Sequence, residues 1–279
     1  MKWGNFEVTL VSGGGLWLDG GAMYGVVPRT LWSRLTPPDA ENRIEIALHC
    51  LLVRTPAGTV LVDTGIGDKF DDQFAAVYRA DRTRTVADSL RQAGVDAGSV
   101  DVVINTHLHF DHAGGNTRRE GGRLVPAFPS ARYVVQRGEW RHAQAPGERS
   151  RASYRPEDWE PLAHTGQLEC VEGDVEVLPG VFVFLTPGHL RHHQSVRVRS
   201  GGRDLVFLSD VIPTPHHLKL PWIMSYDLYP LDTLETKRQL IRAALDGHWL
   251  LVFYHDPQTP MGYLREQDGR LYVDPVTGE

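Results

Sequence analysis

The segment Thr106-His107-Leu108-His109-Phe110-Asp111-His112 packs four side chains able to bind a metal into six positions, directly after the apolar run Val100-Asp101-Val102-Val103-Ile104-Asn105. Such crowding is a poor way to build a hydrophobic core and a good way to hold a cation. Imidazole suits zinc and its neighbours, and carboxylate adds an oxygen donor with negative charge. On an extended segment His107 and His109 point to one side, and a tight turn after Phe110 carries Asp111 and His112 round to a second ion. The competing reading is a histidine-rich surface loop. Its place at the end of a buried-looking strand favours metal, and two metals need more ligands than one loop offers.

Three later segments repeat the arrangement of an apolar strand ending in a ligand. Val181-Phe182-Val183-Phe184-Leu185 runs into Thr186-Pro187-Gly188-His189, Leu205-Val206-Phe207-Leu208-Ser209 ends at Asp210, and Leu250-Leu251-Val252-Phe253-Tyr254 ends at His255. Short continuous apolar runs bounded by turn residues are consistent with strands buried on both faces. Functional groups concentrate on loops at the ends of such strands, where a rigid sheet fixes their positions. Four strand ends thus converge on His107, His109, Asp111, His112, His189, Asp210 and His255.

This series resembles the ligand set of the metallo-β-lactamase-fold hydrolases, and the resemblance covers nearly the whole chain. A narrower likeness to the quorum-quenching N-acyl-homoserine lactonase branch is carried by Gly20-Gly21-Ala22-Met23-Tyr24-Gly25-Val26-Val27-Pro28 with Leu31-Trp32-Ser33, by Val62-Asp63-Thr64-Gly65-Ile66-Gly67 and by Phe253-Tyr254-His255-Asp256. The resemblance implies an αββα sandwich of two mixed sheets flanked by helices. It implies two divalent ions, zinc by default with manganese, cobalt or iron as alternatives. His107, His109 and His189 would hold the first, Asp111, His112 and His255 the second, and Asp210 would bridge them. Two such ions bring four positive charges, of which Asp111, Asp210 and a shared hydroxide remove three, leaving one to attract an electron-rich oxygen. Asp111 and Asp210 are the implied catalytic carboxylates, Asp111 also as proton shuttle to the leaving alkoxide. Asp63 and Asp256 are candidates to orient ligating imidazoles.

Two departures stand out. The family pattern Pro-Gly-His-x-x-Gly-His-x-Ser becomes Pro187-Gly188-His189-Leu190-Arg191-His192-His193-Gln194-Ser195, with His192 in place of a glycine; His193 reads as a supporting residue rather than a ligand. Some lactonases place a tyrosine three residues after the bridging aspartate, where this chain has Pro213. Met23, Tyr24, Trp32, Trp222, Met224 and Tyr226 are candidates to line an acyl-chain pocket, with core packing as the alternative for each. His216 is a candidate for the pocket mouth, although His216 and His217 in a proline-rich loop also read as simply exposed.

The 279 residues fit one domain spanning 1–279, and the net charge of −6 provides no basic field for nucleic acid. Cys50 and Cys170 lack the spacing of a metal or redox motif and read as buried thiols. Without a signal-like apolar start or a membrane-length run, the expectation is a cytoplasmic enzyme acting on a small ester or lactone, with no membrane partner; related lactonases imply a homodimer. Strands are expected over 44–53 and 59–62. A helix capped by Thr85 should stop at Gly94, and others are expected over 136–143 and 232–245. Alternation of strands and helices places the chain in the α/β class. Residues 113–130 read as an exposed loop and 144–165 as a surface excursion.

The leading functional expectation is a dinuclear metal hydrolase that opens lactones. The runner-up is a phosphotriesterase, since the same nucleophile attacks phosphorus. An iron-dependent redox enzyme on this fold and a non-catalytic metal-binding regulator are weaker alternatives. A purely structural zinc has no use for a vacant coordination position.

Overall fold

The apolar runs pair into two seven-stranded sheets, each drawn from one half of the chain, in the computed structural model, which describes residues 1–276. In the first sheet Lys2–Trp3, Phe6–Asp19, Arg43–Thr55, Gly58–Val62, Val102–Ile104, Arg132–Gln136 and Leu168–Val171 lie side by side in chain order. The second sheet does the same with Val175–Leu178, Val181–Leu185, Gln194–Ser200, Arg203–Phe207, Leu250–Val252, Met261–Gln267 and Arg270–Pro275. Gly58–Val62 and Val102–Ile104 pair in parallel, and their residues Val60, Leu61, Val62, Val102, Val103 and Ile104 are all buried. Parallel strands covered on both faces require that continuous apolar character.

The sheets share one core, which includes Val8, Leu52 and Val103 of the first and Val183, Val196 and Val252 of the second. Polar contacts stitch them near one edge: Gln136 Nε2 donates to Gln194 Oε1 at 2.9 Å, and Ala47 N donates to His255 O at 3.2 Å. Helices form the outer layers. Val86–Gln92 carries a reciprocal Thr85–Asp88 capping box and packs on the strand Phe6–Asp19. Pro230–Gly247 lays Leu240, Ile241 and Ala244 on Val206, Leu251 and Phe253 of the second sheet. The result is the expected αββα sandwich. Among the described residues no helix is long and apolar enough to cross a membrane.

Strand direction explains why the ligands meet. Val181–Leu185 and Arg203–Phe207 are both antiparallel to Gln194–Ser200, and Leu250–Val252 is parallel to Arg203–Phe207. These three strands therefore run the same way and deliver His189, Asp210 and His255 to one edge.

The expected exposed loop over 113–130 is corrected. Gly114, Gly115 and Asn116 are buried against the turn after Gly58–Val62, where a Cβ on Gly114 would run into the Ile66 carbonyl. The chain then forms a hairpin of Thr117–Glu120 and Arg123–Pro126 around Gly121-Gly122, both with positive φ. The glycine pairs read as flexible loop serve close packing and a tight turn. The excursion over 144–165 is also only partly superficial, since Tyr154, Asp158, Trp159 and Leu162 are buried.

Candidate metal centre

All seven expected ligands gather at that edge, in two groups. Ligand atoms of His107, His109, His189 and Asp210 lie within 4.8 Å of one another, as do those of Asp111, His112 and His255. Asp210 faces both groups with different oxygens. Its Oδ2 lies 3.4 Å from His189 Nε2 and 3.9 Å from His107 Nε2, whereas its Oδ1 lies 3.2 Å from His112 Nε2 and 3.1 Å from His255 Nε2. Asp111 Oδ2 completes the second group, 3.7 Å from His255 Nε2 and 3.8 Å from His112 Nε2.

The hydrogen bonds around the groups leave most inner atoms free; the exception is His189 Nε2, which lies 3.1 Å from His109 Nδ1. His112 Nδ1 donates to Asp63 Oδ2 at 2.8 Å, His189 Nδ1 to Asp227 Oδ1 at 3.0 Å and His255 Nδ1 to Ala47 O at 3.0 Å. Thr106 Oγ1 donates to Asp63 Oδ2, so the 3.1 Å contact between His107 Nδ1 and Thr106 Oγ1 has the imidazole as donor. Each of these rings is thereby fixed as the tautomer whose Nε2 lone pair points inward. His107 Nε2, His112 Nε2 and Asp210 Oδ1 are buried with no hydrogen-bond partner among the described residues. Buried polar atoms without partners are costly, and here they converge; the donor set fits two divalent cations.

The electrostatics divide the rings: burial opposes charge on His112 and His189, yet the carboxylates of Asp210 and Asp111 raise the pKa of the first and those of Asp210 and Asp227 raise that of the second. Burial, followed by repulsion from neighbouring imidazoles, keeps His107 and His109 well below the ordinary histidine pKa, as neutral donors. Burial also works against a charged Asp210, yet His112, His255 and His189 hold its carboxyl well below the usual range. Backbone strain sits at the same place: Asp63 and Ser209, the residue before Asp210, both have positive φ, of 56° and 52°. Non-glycine residues adopt that conformation at a cost, and it concentrates at functional sites.

Of the supporting residues expected from sequence, Asp63 acts on His112, but Asp256 pairs with none of the candidate ligand imidazoles. Its Oδ1 accepts from Gln258 N and Thr259 N as a turn cap. His193 belongs to neither group; its Nδ1 pairs with Thr186 Oγ1 at 2.8 Å, and its ring lies 5.3 Å from that of His107. His192 finds its space over Gly138, where a Cβ would strike the ring. Asp227, Glu139 and Tyr154 escaped the sequence reading. Tyr154 lies with its ring 4.9 Å from His109, and its hydroxyl donates to Glu139 Oε1, which also accepts from Leu108 N.

The candidate substrate residues separate. Met23, Tyr24 and His216 line a cavity of about 190 Å³ that His255 also lines. Trp32 and Trp222 do not line it: Trp32 stacks on Tyr24 at 5.3 Å, and Trp222 meets the same ring edge-on at 5.5 Å. Met224 is likewise buried in the core. His217, expected to be exposed, is buried on the other face of Tyr24, with Nε2 2.9 Å from Met23 O. Tyr226 is half-buried; burial raises its hydroxyl pKa, helped by the charges of Tyr78, Asp19 and Asp111. Phe110, between two ligands, packs against Phe74 at 5.1 Å and Tyr78 at 5.8 Å and adds an aromatic rim.

Residues 46–255, which include every one of these ligands, match the model of the metallo-β-lactamase superfamily. The chain belongs to the metallo-β-lactamase superfamily. A Bacillus cereus N-acyl homoserine lactonase is 33% identical over 191 residues, covering 63% of this chain and 67% of the relative. A probable metal-dependent hydrolase from Staphylococcus aureus superposes with TM-score 0.89 at 28% identity over 100% of both chains. An N-acyl homoserine lactone hydrolase with N-hexanoyl-L-homoserine at its catalytic metal centre superposes with TM-score 0.70 at 25% identity, over 90% of this chain and 93% of that one. Within this superfamily the chain has the α/β sandwich, and its own histidines and aspartates gather on one edge of it.

Proposed function

We propose that this metal-dependent hydrolase opens the ester bond of a lactone, with N-acyl-homoserine lactones as the substrate class and zinc as the metal. The observation that carries the reading is Asp210, whose two carboxylate oxygens face separate histidine groups and so serve as a bridge. These groups would hold two divalent ions, which when bound would supply an ionised water at neutral pH and an electrophile for the carbonyl.

The chain's own residues do the rest. His107, His109 and His189 define one pole of the site and Asp111, His112 and His255 the other, so a carbonyl is presented in one orientation. Asp111 is 8% exposed, His109 6% and Asp210 5%, whereas His107 and His112 are fully buried, so Asp111 lies at the open side of the site. Asp111 is therefore placed to pass a proton to the departing alkoxide. The rim of Phe110, Phe74 and Tyr78, with Tyr226 and the cavity of Met23, Tyr24 and His216, provides apolar surface for an acyl chain. Homology to proteins named N-acyl homoserine lactonases supports the same substrate class.

The test is an activity screen of the metal-replete enzyme over lactones of graded acyl length, with a phosphotriester in parallel and the bound metal quantified. Lactone opening that depends on chain length, at two metals per chain, is the expected result. Efficient phosphotriester cleavage with no lactone opened would overturn the substrate assignment.

A further inference from the structure

The segment 144–165 walls a second cavity, of about 450 Å³, lined by Trp140, Tyr154, Trp159 and Arg151, with Glu160 and His164 also contributing. That volume lies within the range of small-molecule sites, roughly 300–1,000 Å³, which join aromatic walls to a few polar groups. Trp140 and Trp159 meet edge to face at 5.0 Å and 86°, presenting two indoles. Trp159 is 3% exposed, and its Nε1 has no hydrogen-bond acceptor among the described residues. Arg151 is exposed and forms no ion pair among the described residues. The lining thus holds the guanidinium of Arg151 and the unpartnered indole N–H of Trp159 beside the carboxylate of Glu160, with the Gln144 amide and the His164 imidazole each able to donate and to accept.

Tyr154 belongs to this cavity and to the metal loop alike. It bridges His109 in an isolated antiparallel pairing, and its hydroxyl meets Glu139 Oε1 at 2.8 Å, the same oxygen that receives Leu108 N at 3.0 Å. A molecule resting on Tyr154 therefore touches a wall whose other side holds the backbone between two metal-binding histidines.

We propose that this cavity binds an aromatic carboxylate, with its ring against the two indoles and its anion at Arg151, and that occupancy is transmitted through Tyr154 to the Leu108–His109 backbone. A planar guanidinium pairs bidentately with a carboxylate, which selects an anion over a cation. The site is distinct from the ester-cleaving centre and does not depend on which substrate that centre takes.

The experiment is a heteronuclear NMR titration of the metal-loaded protein with 2-naphthoate, its neutral analogue 2-naphthalenemethanol, and tryptamine. The expected result is saturable shifts of the Trp140 and Trp159 indole N–H signals together with the Leu108 amide. Arg151→Ala should weaken 2-naphthoate about tenfold, the scale of one charge-assisted hydrogen bond, and leave the neutral analogue unchanged. Ala163→Phe, a plug at an exposed position of the lining, should abolish all three shifts. No saturable indole shift, or a preference for tryptamine, overturns the proposal. A Leu108 shift that survives the plug places the probe at the metals and also overturns it. Indole shifts with a still Leu108 amide refute the transmission.

Discussion

Asp227 accepts His189 Nδ1 on one carboxylate oxygen at 3.0 Å and Thr233 Oγ1 on the other at 2.7 Å, tying a metal-facing imidazole to the first turns of the helix Pro230–Gly247. Leu228 N and Tyr229 N donate to the carbonyls of His189 and Gly188, and Thr236 Oγ1 to that of Pro187, so the whole Pro187–His189 turn rests on this segment. The carboxylate fixes the ring's tautomer and raises its basicity as a ligand. Asp227→Asn should weaken metal binding at the His107–His109–His189 group by roughly 10–100-fold, the usual effect of losing such a partner. Metal retained against a graded chelator measures it; wild-type retention would show that Asp227 does not support the site.

Gly188 sits in the same turn with φ 145°, and a Cβ there would collide with the backbone and hydroxyl of Thr233. Gly188→Ala should cost about 1–3 kcal/mol from the backbone conformation alone, with the collision added to it. Gly121→Ala has a positive φ of 56° but open space around it, so it isolates the backbone part. Urea midpoints for the two variants should differ, with Gly188→Ala lower; equal midpoints would remove the steric argument.

Lys69 and Asp158 form a buried ion pair at 2.9 Å, and Lys69 Nζ also donates to Gly114 O and Thr117 O, clasping the loop that follows the metal ligands. Removing one partner strands a charge, so Asp158→Ala should cost about 3–5 kcal/mol, whereas the apolar double replacement Lys69→Met with Asp158→Leu should cost less. Thermal unfolding of the single and double variants decides it. A double variant at least as unstable as the single one contradicts the stranded-charge account.

Lys237 is fully buried, and its Nζ donates to the carbonyls of Lys219, Leu220 and Trp222. Burial pushes its pKa down from 10.5 to about 7, with Asp227 opposing. Above that value the folded protein has released a proton that the unfolded chain keeps until its ordinary pKa. The unfolded state thus binds more protons between these limits, and stability from this group rises with pH across the window. Wild-type stability relative to Lys237→Met should therefore increase from pH 7 to 9 by chemical denaturation. A flat or falling difference would mean that the amine stays charged in the fold.

Much of the centre is local in sequence, and that part was legible. His107, His109, Asp111 and His112 occupy one turn, and each remaining ligand follows an apolar strand, so chemistry and periodicity could be read together. The helix after Thr85 announced itself through its cap, and the helix Pro230–Gly247 through the apolar spacing over 232–245. The long strand Phe6–Asp19 did not, because Gly13-Gly14-Gly15 looks like a break; in the sheet the register shifts between Ser12 and Gly15, and Gly14 takes φ 108° while pairing resumes beyond it.

What the amino-acid order determined by itself was the expected donor set and the strands that end in it. Only the tertiary structure decided which carboxylate supports which ring. Asp63 and Asp256 look alike as turn acids, yet Asp63 meets a histidine 49 residues away, whereas Asp256 caps its own turn. Asp227 reaches His189 across 38 residues with no local pattern to mark it. Side-chain chemistry and short-range periodicity are written along the chain, but a hydrogen bond between distant strands depends on sheet register and direction, which exist only once the two sheets have packed.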